Sequence, residues 1–477
     1  MNRRAEMAVC ILIALGIAGP VCAQRQQLPQ QAQPLAQTLD HANWQNLDLQ
    51  RAPAAAGVPE EPPVADATLT ITLANALERA KAMSPELETA LTNVKIAAEG
   101  IVQTRAANLP AVSANSQYLY TEGNGTLAAR FIANNGVHEY IAQGDVHETI
   151  SVPLLIQYRR SVVLKALARD RAVIAQRGLV VTVVQSYSAL VAADGKLKTV
   201  QETLDAAQQF LKTSQELEKG GEVAGADVVK ARIQASDSQV ALNNAQLARE
   251  EARISLALLL FQDINQKFEV VDDPGQMLLL PAFAEAQTDA QRDNPDVDAA
   301  SRTERAAQRD VTAAWAAYLP SLTFDYIYGI DANQFATRST TPEGKLIQNL
   351  GYSALASLTL PIFNWGATQS KVKEAEYRKQ QASTALNYTR RKLTADLEQF
   401  YREAQVAKTD MDIRHEAADD AVESRKLTLL RYKGGEATAL EVVDAEATVS
   451  LERNAYYDAE MRYATALANL ATLTGTL

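Results

Sequence analysis

The sequence predicts a mainly α-helical fold with a β portion, built from a helix–strand–strand–helix–helix unit that occurs twice. Three observations carry this: a composition suited to long helices, an internal repeat, and strand-like segments lying between heptad-patterned stretches. In 477 residues there are only 21 glycines and 16 prolines, and aromatics make up 6%. Ala, Leu, Glu and Gln are abundant, which is a long-helix composition. The length is too great for one compact core, so the chain forms either several domains or one extended architecture, and the composition favours the second.

The repeat is read from three landmarks. Ser84-Pro85 followed by Leu109-Pro110 answers to Asn294-Pro295 followed by Leu319-Pro320, at an offset of 210 residues. Ile150-Ser151-Val152-Pro153-Leu154 answers to Leu358-Thr359-Leu360-Pro361-Ile362 at an offset of 208. Gly220-Gly221-Glu222 with Val228, Val229 and Ala231 answers to Gly434-Gly435-Glu436 with Val442, Val443 and Ala445 at an offset of 214. Three landmarks in one order at nearly constant spacing mark a duplication, with copies at residues 68–275 and 276–477.

In chain order, Arg3 and Arg4, the apolar stretch Met7 to Ala18 and the small-residue site Val21-Cys22-Ala23 read as a signal peptide over residues 1–23, so the chain is expected to be exported. Cleavage there would remove both cysteines, Cys10 and Cys22. Residues 24–67 are rich in Gln, Pro and Ala and read as a flexible leader. The first copy then opens with a helix from Leu73 to about Asn108, and the second with one from about Val297 to Tyr318, each stopped by a Leu-Pro pair. Two strands follow in each copy, at about 112–121 and 145–155, then 322–331 and 351–363, four in all. The clearest is the third, where Leu322, Phe324, Tyr326, Tyr328 and Ile330 alternate with Thr323, Asp325, Ile327 and Gly329.

Helices over Ile156 to Lys219 and Gly366 to Lys433 come next. Their heptad seams run through Leu190, Ala193, Leu197, Val200, Leu204, Ala207, Leu211 and Ser214, and through Leu393, Leu397, Phe400, Ala404, Ala407 and Met411. Each ends at a Gly-Gly pair that reads as a hairpin tip. The return helices carry Val240, Leu247, Ile254 and Phe261, and Val449, Tyr456, Tyr463 and Leu470. Rods of this length, roughly 95 to 100 Å at 1.5 Å per residue, fit no compact domain.

Function classes narrow from the same data. A net charge of −11 disfavours a nucleic-acid binder. Beyond the N-terminal segment there is no run of eighteen apolar residues, so helical membrane spans are not expected. No H-E-x-x-H, Walker loop, Gly-x-Ser-x-Gly or cysteine cluster is present, so neither enzyme activity nor a cofactor is expected. His138 and His147 have no evident third ligand, so no metal site is expected either.

Four strands of nine to twelve residues can each cross a tilted bilayer but cannot close into a pore alone. Three chains would supply twelve antiparallel strands and a β-barrel without free edges; a dimer of eight would close around a filled lumen. Phe324, Tyr326, Tyr328, Tyr352 and Trp365 then face either lipid and its interface or the core of a soluble sheet.

The stretch from about Leu73 to Gly475 resembles the TolC-like outer-membrane efflux channels, the outer-membrane factors of tripartite efflux or secretion systems. The resemblance is carried by Leu358-Thr359-Leu360-Pro361-Ile362-Phe363 followed by Gly366, and by Tyr432-Lys433-Gly434-Gly435-Glu436 with Leu440-Glu441-Val442-Val443-Asp444-Ala445. It implies a homotrimer with a twelve-stranded barrel in outer-membrane lipid, continued by a long periplasmic α-helical coiled-coil tunnel. It also implies a periplasmic adaptor and an inner-membrane pump as partners, and passive conduction of substrate to the exterior. Spacing alone places Glu441 and Asp444 at i and i+3 on one helix face; the resemblance makes them two stacked acidic rings of a pore constriction. It likewise makes Asp227 and Tyr432 an entrance latch and sets the adaptor-docking surface beside Gly220, Gly221, Gly434 and Gly435. Where the family carries a latch arginine this chain has Ala437, leaving the latch incomplete unless Lys433 substitutes. The competing class is a soluble periplasmic coiled-coil adaptor or scaffold, against which the duplication argues.

Overall fold

The computed structural model describes residues 69–121, 138–271, 280–340 and 344–475, all within one unit beginning at Ala67. The signal peptide and leader assigned from sequence lie outside the described residues.

The chain opens with a short strand, β1 (Leu69–Ile71), and a helix, α1 (Leu73–Met83). A second helix, α2 (Pro85–Ala106), follows directly. The single helix expected over Leu73 to Asn108 is therefore two. Ser84 ends α1 in an extended conformation and caps α2, its hydroxyl accepting from the Leu87 N–H at 3.2 Å, while Pro85 occupies the first turn, where no amide donor is needed. In the second copy Asn294 caps α6 (Pro295–Ala316) in the same way, ahead of Pro295.

Strands β2 (Ala111–Tyr120) and β3 (His138–Ile150) come next, then β5 (Ser321–Ala332) and β8 (Leu350–Thr359) in the second copy. They form one antiparallel sheet in the order β2-β3-β5-β8, with β2 and β8 at its edges. β3 begins well before the expected residue 145 because His138 to Gly144 pair along β2. It ends at Ile150, short of Leu155, because the next helix, α3 (Val152–Gly220), begins there with Pro153 in its first turn. The expected total of four strands is also corrected. A three-residue strand β4 (Phe268–Val270) pairs in parallel with β1, and β6 (Arg338–Thr340) pairs with β7 (Leu346–Gln348) within the loop expected between the last two long strands.

The long helices are α3 (Val152–Gly220) and α7 (Ala367–Lys433), of 69 and 67 residues, each about 100 Å at 1.5 Å per residue. Each folds back through a tight turn into a 36-residue partner, α4 (Gly225–Leu260) or α8 (Ala439–Thr474). A short helix, α5 (Phe283–Arg292), precedes α6. Helices α3 and α4 pack together, as do α7 and α8, and α3 also packs on α2, α6 and α8. One window of α3 is apolar enough by composition to cross a membrane, with mean hydropathy 1.3. Val183, Tyr187 and Leu190 of that helix are buried with Ile71, Ala76, Leu256, Leu260 and Phe268 in the largest core cluster. There the Tyr187 hydroxyl donates to the Val271 carbonyl at 2.7 Å, tying α3 to the β1–β4 pair.

The seam of α4 departs from expectation. Val240 and Leu247 are 58% and 60% exposed, and Ile254 is exposed as well, whereas Val228, Ala231, Ser238, Leu242 and Leu256 are buried. Within α4 the heptad stripe therefore faces away from the helix's own hairpin, while its fourth member, Phe261, just past the helix end, is buried in the core. Along α7, Val406, Ile413 and Leu427 form a second exposed stripe.

Candidate functional site

The sheet presents two chemically different faces. The two-residue period along β5 and its register with β3 and β8 put Leu322, Phe324, Tyr326 and Tyr328 on one face with Val146, Ile150, Tyr352 and Leu358. Val112 and Tyr118 of β2 join them; Glu148 is an acidic exception on this face. The other face is mainly polar, carrying Ser113, Asn115, Gln117, Gln143, Asp145, His147, Thr323, Asp325 and Ser353, with Leu119, Ile141, Ile327 and Leu355 as its apolar exceptions. A mainly apolar, aromatic-rich face opposite a mainly polar one, on strands of 10 to 13 residues, is the pattern of a membrane barrel with a hydrated interior.

At the opposite end of the rods the two hairpin tips share one geometry. Gly221, at φ 77°, and Gly435, at φ 75°, adopt the left-handed conformation that other residues avoid. The turns close with Glu222 N–H donating to the Leu217 carbonyl and Glu436 N–H to the Arg431 carbonyl. Behind the tips a small core forms from Phe210, Ala231, Tyr432, Ala439 and Val442. Tyr432 packs edge-on against Phe210, ring centroids 5.1 Å apart, and its hydroxyl is 3.1 Å from that of Ser214. So in this structure the hydroxyl expected to latch to Asp227 engages Ser214. Asp227 stands in the first turn of α4, half-buried, and its carboxylate has no partner among the described residues. Lys433 shares a groove with Phe210, Arg425, Leu429 and Glu446.

Glu441 and Asp444 lie one turn apart on α8, and their surroundings differ. Thr438 caps the helix in a capping box: its hydroxyl accepts from the Glu441 N–H at 3.3 Å, and a Glu441 carboxylate oxygen accepts from the Thr438 N–H at 3.0 Å. The other oxygen receives Arg431 at 3.3 Å. The Thr438 N–H and hydroxyl, then Arg431, hold the Glu441 carboxyl below the usual carboxylate range. Asp444 is exposed, and its carboxylate has no partner among the described residues. Arg431 was not singled out from the sequence, although Thr438-x-x-Glu441 is a readable capping signature.

Two residues beyond Asp444 and on another face of the helix, buried Glu446 pairs with Arg425 at 3.4 Å, and burial outweighs the arginine in raising its carboxyl above the usual range. His138 bonds the Tyr118 hydroxyl and His147 bonds Asp325. Among the described residues no group of three or more potential ligands is placed to hold a metal.

Residues 76–260 and 287–476, most of the chain and both copies, match the family described as "Outer membrane efflux protein". The chain belongs to that family. The outer membrane efflux protein relatives include the probable outer membrane lipoprotein SilC of Salmonella typhimurium, 24% identical over 57% of this chain and 58% of that protein. The pyoverdine export outer membrane protein OpmQ of Pseudomonas aeruginosa is 24% identical over 78% of this chain and 81% of its own. Escherichia coli outer membrane protein TolC is 22% identical over 84% and 81%. Among solved structures, the outer membrane protein VceC of Vibrio cholerae superposes with a TM-score of 0.72 at 18% identity, covering 84% of this chain and 96% of that one. The chain is thus a TolC-like efflux channel protein of the outer membrane, and the soluble adaptor alternative is set aside.

Proposed function

We propose that three copies assemble into a continuous duct in which twelve strands span the outer membrane and the helical rods line a periplasmic tunnel. The observation that carries this reading is the four-stranded sheet with one apolar face and two unpaired edges, β2 and β8. In lipid such edges must pair, and closing three sheets edge to edge satisfies them with an aqueous lumen. The exposed stripe of α4 supports the same assembly, since it supplies at a heptad period an apolar surface that its own hairpin leaves uncovered, and on α7 Val406, Ile413 and Leu427 add a second one, interrupted at Asp420.

In this duct substrate moves passively, handed over by an inner-membrane pump through a periplasmic adaptor that docks beside Gly220, Gly221, Gly434 and Gly435. The tips narrow the tunnel, Glu441 and Asp444 ring its entrance, and Asp227 with Tyr432 contributes to holding it closed. No catalytic step is involved. Native mass spectrometry of the detergent-extracted full chain tests the assembly. Three copies are expected, and Val240→Glu with Leu247→Glu should disperse them; a stable monomer in lipid nanodiscs would refute the closure argument.

A further inference from the structure

The duplication supplies an internal comparison at the tips. At the offset of 214 residues, Glu441 corresponds to Asp227, Thr438 to Ala224, Arg431 to Leu217 and Asp444 to Lys230. Asp227 and Glu441 both stand third in their helices, yet α4 has no side-chain cap at Ala224 whereas α8 has the Thr438 capping box. An arginine faces the carboxylate only in the second copy. Its guanidinium is held twice, donating to Glu441 at 3.3 Å and to the Glu436 carbonyl at 3.0 Å. That carbonyl lies in the turn set by Gly435, so the placement of Arg431 does not depend on the ion pair alone. Both partners are about half exposed, and an ion pair so placed contributes little to stability. Its consequence is electrostatic, because a pore constriction responds to the net charge facing it.

We propose that Arg431 is a selectivity-determining residue of the entrance: it neutralises the Glu441 ring, leaving Asp444 as the uncompensated acidic ring of α8. The inference rests on the reading of Glu441 and Asp444 as lumen-facing. It bears on the missing latch arginine as well, since the arginine nearest the second tip sits at 431 and engages its own helix pair, while position 437 is alanine.

The experiment is reversal-potential measurement on single channels of the full-length trimer under a potassium chloride gradient. Arg431→Gln is expected to raise the cation-to-anion permeability ratio by about twofold or more, by unmasking three carboxylates. Adding Glu441→Gln to that variant should reverse the rise, and Asp444→Asn alone should lower the ratio. Arg431→Met, which keeps the side chain's length without its charge, serves if the glutamine variant does not assemble. Separately, Asp444→Cys is treated with a cationic thiol reagent, the parent protein controlling for Cys10 and Cys22. Block of the current together with an unchanged or lowered ratio in the Arg431 variants would overturn the inference while leaving the constriction in place. Absence of block would overturn the lumen assignment and the inference with it.

Discussion

Gly195 lies inside α3, where glycine is a poor helix former, and Tyr457 of α8 occupies the space a side chain would take. A Cβ on Gly195 would come within 2.4 Å of the Tyr457 Cε1 and 2.5 Å of its Cζ. Alanine in place of glycine within a helix ordinarily stabilises by about 1 kcal/mol. Overpacking against a ring typically costs about 1–3 kcal/mol. For Gly195→Ala the second effect wins, giving a net loss of about 0–2 kcal/mol. On a Tyr457→Ala background the obstruction is gone and the sign should invert, with Gly195→Ala then stabilising by about 1 kcal/mol. The coupling between the two sites is therefore about 1–3 kcal/mol, well above the scatter of independent mutations. Thermal loss of the helical circular-dichroism signal, followed for the four proteins in one detergent, measures it. Equal stabilisation by Gly195→Ala on both backgrounds would refute the claim that this glycine sets the approach of α3 and α8.

At the tips, Gly435→Ala, which forces a left-handed alanine, should cost about 1 kcal/mol, while Gly434→Ala, at φ −84°, should change the melting midpoint far less. Tyr432→Phe leaves the fully buried Ser214 hydroxyl without its partner and should cost about 1–3 kcal/mol; adding Ser214→Ala should recover part of that in the same melt. Glu446 titrates above the ordinary glutamate value because it is buried. The folded state therefore holds its proton more tightly than the unfolded state does, and this group's contribution to stability falls as pH rises from the ordinary value through the raised one. The stability of Glu446→Gln relative to the parent should accordingly increase between acidic and neutral pH, and a relative decrease would contradict the assignment.

Features with a strong local signal were legible in the sequence. The alternation from Leu322 to Ile330 became β5, and the two Gly-Gly pairs became the hairpin tips. Failures came where the deciding partner is distant or the element is short. Strands β1, β4, β6 and β7 have three residues each, too few to show a period. The break at Ser84-Pro85 was visible as a repeat landmark, yet apolar periodicity ran across it, and proline in a first turn is as compatible with a new helix as with a kink. On α4, Val240, Leu247 and Ile254 do keep a heptad, but periodicity does not say which surface it serves, and here it is the one turned away from the protomer. At the tips, the placement of Glu441 and Asp444 one turn apart on a helix was legible by spacing. The Tyr432–Ser214 contact spans 218 residues and had no local sign. Arg431 is the opposite case: the cap of its partner Glu441 is written in the sequence as Thr438-x-x-Glu441 just past the turn, but only the folded hairpin brings guanidinium and carboxylate together.

The most direct test of the duct is single-channel conductance of the purified full-length protein in a planar bilayer, compared with a Glu441→Ala, Asp444→Ala double variant. Small, discrete, cation-selective steps are expected from the parent, and larger, less selective ones from the variant. Absence of current from both proteins, with trimers verified in the same membranes, would contradict the account.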